Sequence, residues 1–128
     1  MALKRIRLEL ARTPEFPEGS PHHGYEFTAP LDAEGQIDLE AWKRERTACT
    51  VRRFWDGDDD TLGQLVRTRG GRWAFSYEPG EADDEPIFRF DRHAFRQGEY
   101  VSVTEHDGIT RPFKVVLVEI PPALRPVD

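Results

Sequence analysis

The stretch EYVSVTEHDGITRPFKVVLVEI, residues 99–120, decides the fold class. Two β-branched and aromatic runs flank a turn containing Gly108, which is the pattern of a β-hairpin. Two registers compete. A two-residue turn at Asp107 and Gly108 would set Val101 opposite Lys114 and Val103 opposite Pro112. A three-residue loop of His106, Asp107 and Gly108 sets Val101 opposite Phe113 and Glu99 opposite Val115. The second register gathers Val101, Val103, Phe113, Val115 and Leu117 on one face. It also places Gly108 last in the loop, where a left-handed residue is needed. A slip of one residue would turn that apolar set outward, so the three-residue loop is expected. Val116, Val118 and Ile120 make the reverse side apolar too, which predicts a central strand covered on both faces.

Working outward, residues 3–11 alternate, with Ile6, Leu8 and Leu10 against Arg5, Arg7 and Glu9, as in a half-buried strand. Residues 12–23 hold three prolines and the pair His22, His23, and read as a loop. A second strand over 24–31 aligns Tyr25, Phe27 and Ala29, and Pro30 ends it or marks a sheet edge. One short helix is predicted near 38–46, capped by Asp38, with Leu39 and Trp42 as its apolar stripe and Trp42 as its anchor. A third strand over 48–55 puts Val51, Arg53 and Trp55 on one face.

Gly70 and Gly71 suit a two-residue hairpin turn, pairing Val66 with Phe75 and Thr68 with Trp73. Residues 79–86, with Glu81, Asp83, Asp84 and Glu85, read as a solvated loop. A short strand over 87–91 follows, and residues 121–128 read as a loose tail. The pattern is all-β: an antiparallel meander of about eight strands forming a small or partly open barrel, in a single domain spanning 1–128. Open sheet edges would allow a monomer or an edge-paired homodimer.

Composition narrows the function classes. The chain is 38% hydrophobic and 33% charged, so it can bury a core while carrying a highly charged surface. Residues 1–53 hold nine Lys/Arg and nine Asp/Glu; the rest hold nine and fifteen, which locates the net charge of −6 in the second part. That balance disfavours non-specific binding to nucleic acid or anionic lipid. The basic residues near Met1 precede no apolar run, so no signal peptide is expected, and no segment approaches a membrane span. The lone Cys49 excludes an internal disulfide and suits a reducing, cytoplasmic compartment. Its expected role is that of a small buried apolar residue.

The chemistry-bearing residues are few. His22 and His23, next to Tyr25, could relay a proton or hold a metal, but neighbours on extended chain point apart, so no metal site is expected. The acidic turn 56–60 lacks EF-hand spacing and reads as a hydrophilic turn. Arg52, Arg53, Arg67, Arg69 and Arg72 could present a basic sheet face to single-stranded nucleic acid. The register assigned to the Gly70–Gly71 hairpin places Trp73 opposite them, in the core. His93 and His106 have no local nucleophile. There is no phosphate loop, no nucleophile elbow and no paired-cysteine motif, so no cofactor is expected.

Three segments, GYEFTAPLD at 24–32, VRRFW at 51–55 and GEYVSV at 98–103, resemble a family of short bacterial proteins with no assigned activity. The resemblance implies a small bacterial cytosolic protein and carries over no functional residues. The expected function is a non-enzymatic binding module for a small molecule or protein. Its contact residues would be His22, His23, Tyr25, Arg53 and Trp55 at the barrel mouth. A histidine- or carboxylate-dependent enzyme, with or without a metal, is the alternative, and a nucleic-acid binder a further one.

Overall fold

The computed structural model describes residues 2–77, 85–88, 94–105 and 107–121, with the side chains of Ala2 and of 85–88 outside the description. Eight strands follow one another: β1 (Ala2–Leu10), β2 (Ser20–Leu31), β3 (Thr50–Trp55), β4 (Thr61–Arg67), β5 (Trp73–Ser76), β6 (Glu85–Phe88), β7 (Tyr100–Thr104) and β8 (Thr110–Glu119). Each pairs antiparallel with the next, and β8 pairs back onto β1, so the meander closes into a barrel. Closure leaves neither β1 nor β8 as the free edge an edge-paired dimer would use.

The 99–120 hairpin has the expected register. Val101 faces Phe113 and Val103 faces Arg111. Glu105 and Ile109 close the loop through a backbone bond of 3.0 Å, and Gly108 has φ +81°. The far half of β8 differs from expectation. Leu8 pairs with Val115, but Ile6 pairs with Val118. The extra residue on β8 is a bulge, and it reverses which side faces inward. Val118 therefore packs on the core in place of Leu117, while Ile120 is exposed. The strand is apolar on both sides because it changes face, not because it is covered twice.

The second hairpin is one residue out from the expected register. Leu65 faces Phe75 and Arg67 faces Trp73. Thr68 and Arg72 close a three-residue loop of Arg69, Gly70 and Gly71, with Gly71 at φ +75°. The slip puts Leu65 inside with Phe75, which a two-residue turn would have prevented.

Aromatic side chains fill the interior. Tyr25 lies 4.9 Å from Phe75 and 5.2 Å from Phe113, and Phe27 lies 5.1 Å from Phe75, centre to centre. Eight strands enclose an interior just wide enough for such filling by side chains. The helix α1 (Leu39–Arg44) plugs one end. Trp42 donates its indole N–H to the Leu65 carbonyl at 3.0 Å and meets Trp73 edge-on at 5.2 Å. Phe95, 2% exposed, completes this plug against Phe27. Leu39 is exposed, so Ala41 and Trp42 form the buried stripe instead. The Asp38 carboxylate accepts from Ala41 N at 2.8 Å. Replacing Asp38 by Ala should lower stability by about 1 kcal/mol, read as a lower denaturant midpoint with unchanged slope.

Candidate functional site

The opposite end of the barrel is built differently. There β2 starts earlier than the sequence suggests, and His22 and His23 belong to the strand rather than to a loop. Gly24 pairs with Glu9 and Ser20 with Leu10, so residues 21–23 bulge away from β1, which accommodates Pro21. On its other side β2 stays paired, with His23 opposite Trp55 and Tyr25 opposite Arg53. Alternation along the two strands turns His23, Tyr25, Arg53 and Trp55 toward the barrel axis and leaves His22 exposed on the outside.

Two of the four inward residues, Tyr25 and Arg53, reach Glu105, which begins the 105–109 loop. Its side chain is fully buried. Oε2 accepts from the Tyr25 hydroxyl at 2.6 Å and from Arg53 Nε and Nη2 at 3.2 and 3.0 Å. Oε1 accepts from Arg111 Nη1 at 2.7 Å, and the same nitrogen reaches Asp107 at 3.1 Å. Two guanidiniums thus face Glu105 and Asp107, and Glu15 lies 3.6 Å from Arg111. Burial alone would lower the pKa of Arg53, but Tyr25 and Glu105 outweigh it and hold the guanidinium charged. Arg111 is raised in the same way by Asp107 and Glu105.

An aromatic lid lies over this base. The Arg53 guanidinium sits 4.2 Å from the Trp55 ring centre. His23 meets Trp55 edge-on at 4.6 Å and Phe16 at 4.6 Å. Its Nδ1 lies 2.7 Å from Ser20 Oγ, which also accepts the His22 amide. Burial lowers the His23 pKa from its ordinary value. Asp56 and Glu105 oppose that shift, while His22 and Arg53 reinforce it.

The sign of the linkage follows. The folded state favours neutral imidazole, so the unfolded chain binds the extra proton. Stability should therefore hold above the unfolded value, about 6.5, and decline as pH falls from there toward the lower folded value. The groups facing the ring set the comparison: Asp56, His22, Arg53 and Glu105. Replacing His23 by Phe should flatten this part of the stability profile, measured by denaturant melts between neutral and mildly acidic pH.

Outside the mouth lies a cleft of about 320 Å³, lined by His22, Trp55 and the acidic turn, with Arg7, Arg52 and Phe54 on its strand side. Phe54 is stacked between Arg7 and Arg52, at 4.2 and 5.2 Å. Arg52 pairs with Glu26 and, at 2.8 Å, with Asp60. Burial would raise the Glu26 pKa, but Arg52 and Arg7 outweigh it and lower it.

The five arginines do not share a face. Arg52 points out and Arg53 in, and Arg67 lies at the helix end, 4.8 Å from the Trp73 ring centre. Arg69 and Arg72 flank the hairpin tip. These five residues therefore do not form the single basic sheet face that the nucleic-acid alternative would use. Cys49 is fully buried just before β3, and burial pushes its thiol up to about 11, so it is no nucleophile at neutral pH. His93 and His106 lie outside the described residues. Among those described, no group of three or more metal-ligating side chains converges.

Sequence reasoning missed Glu105, Arg111, Phe16 and Ser20. The first two were within reach: in the correct register Glu105 has the parity of Val101 and Val103, and Arg111 that of Phe113. Comparison with protein-family models, with curated proteins and with solved structures finds no match to this chain. Among the described residues no helix is long and apolar enough to cross a membrane.

Proposed function

We propose that the chain is a non-enzymatic binding module that presents the outer rim of the barrel mouth to a small molecule or protein. The observation that supports this is the seating of the rim. His22, Trp55 and the turn at 56–60 border an open cleft, and behind them lies a buried, charge-paired base. Variable loops on a rigid base are the usual arrangement of a binding site. The acidic balance of the chain argues against nucleic acid and anionic lipid as partners. The resemblance noted in the sequence supports a bacterial, cytoplasmic setting.

A thermal-shift screen of small metabolites and short peptides tests the reading. Binders should lose their effect in His22→Ala and Asp56→Asn, two exposed changes expected to leave the unliganded melting temperature in place. Binders that act equally on both variants would place the contact surface elsewhere.

The histidine-enzyme reading has one contact in its favour, Ser20 Oγ at 2.7 Å from His23 Nδ1. Because the same hydroxyl caps the His22 amide, the pair is first a local clasp. Ester hydrolysis lost on Ser20→Ala would bring the enzyme forward.

A further inference from the structure

A second cleft lies on the outer wall, under the chain at 11–19. Its volume is about 710 Å³, more than twice the roughly 320 Å³ of the cleft at the mouth. Two irregularities open it. The β1–β2 ladder shifts register between Glu9 and Leu10, and the β1–β8 ladder shifts between Arg7 and Leu8, where β8 inserts Val116. Bulges at such positions often re-aim side chains around a site.

The lining combines an aromatic with unpaired cations. Tyr100 is 52% exposed and is the direct cross-strand partner of Lys114. Val116 and Pro112 continue the apolar floor. Arg12 and Lys114 both line the cleft, and among the described residues neither has a carboxylate partner. Glu9 is already held by Arg7 at 2.7 Å, which leaves Glu18 as the opposing charge among the described lining residues. Glu9 lies directly across the β1–β8 ladder from Lys114, and with its charge engaged by Arg7 the remaining lining charges are the two cations Arg12 and Lys114 against Glu18.

We propose that this outer-wall cleft binds a small aromatic anion, its ring against Tyr100 and Val116 and its carboxylate, sulfonate or phosphate toward Lys114 and Arg12. The cleft lies within the range usual for ligand sites, about 300–1,000 Å³. An exposed tyrosine beside two exposed cations gives both parts of such a ligand a partner. The cleft shares Pro21 with the lining of the mouth cleft and otherwise has its own lining, and the proposal does not depend on the function proposed at the mouth.

Anilinonaphthalenesulfonate is the probe, with a naphthylmethylammonium of similar ring size as the opposite-charge control. Folded protein should bind the sulfonate saturably with one-to-one stoichiometry, and bind the ammonium at least about tenfold more weakly at low salt. Tyr100→Ala and Lys114→Glu should each weaken sulfonate binding by about tenfold, a loss of the size expected for one aromatic or one charge contact. His22→Ala should leave it unchanged. No saturable binding, equal binding of the two probes, or wild-type affinity in both Tyr100→Ala and Lys114→Glu would each overturn the proposal. Loss of binding in His22→Ala alone would assign the ligand to the mouth instead.

Discussion

Glu105→Ala should lower stability by about 3–5 kcal/mol, the largest loss expected from removing one polar side chain in this protein. Glu105 accepts from Tyr25, Arg53 and Arg111 and is fully buried. Truncating it leaves two guanidiniums in a largely buried site, with Asp107 and the more exposed Glu15 in reach of Arg111 among the described residues. Arg53 has a buried side chain and would lose its carboxylate there. The cost comes from those orphaned charges, not from the ion pairs as such. Replacing the set together, with Glu105→Leu, Arg53→Met and Arg111→Leu in one chain, should recover much of the loss, because the buried charges go together and the carboxylates that Arg111 leaves, Asp107 and Glu15, are exposed to water. Equilibrium denaturation of the single and combined variants measures both. A single variant within about 1 kcal/mol of the wild type would show that water reaches the cluster and that the base of the mouth is not rigid.

Two hairpins show how far the sequence could be read. Both use the same loop, three residues with the glycine last and in the left-handed region: Gly108 at φ +81° and Gly71 at +75°. The 99–120 hairpin is legible because only one register buries Val101, Val103, Phe113 and Val115 together. The 64–76 hairpin misleads because Gly70 precedes Gly71 and makes a two-glycine turn look natural. The decisive fact there is that Leu65 must be buried with Phe75, and no local signal states it. The face change at Val116 is likewise set by pairing with β1, more than a hundred residues away in the chain. The site divides in the same way. His23, Tyr25, Arg53 and Trp55 alternate along two paired strands, so their convergence can be read from residue types and spacing. Glu105 lies 52 residues from Arg53 and 80 from Tyr25, and a carboxylate beside a turn reads as solvated unless the register is followed one residue pair further.

Gly24 should be as intolerant of change as Glu105, for a steric reason. It sits where β1, β2 and β3 meet, opposite Glu9 on one side and Phe54 on the other. A Cβ built there would lie 1.9 Å from the Leu8 carbonyl oxygen and 3.0 Å from the Phe54 ring. The first contact is with backbone and cannot be relieved by a side-chain rotation; β1 and β2 would have to separate. Overpacking usually costs about 1–3 kcal/mol, and Gly24→Ala should reach or pass the upper end because a ladder, not a rotamer, must yield. The neighbouring His22→Ala is the control: it is exposed on the same strand and should change stability by less than about 0.5 kcal/mol. The two variants also separate fold from function. Gly24 fixes where His23 and Tyr25 stand over Glu105, so its variant should lose the tertiary circular-dichroism signal of the buried aromatics along with stability. His22→Ala should keep that signal and lose only what the rim binds. A Gly24→Ala protein with wild-type stability and aromatic signal would mean that the β1–β2 ladder can shift at the mouth without disturbing the site.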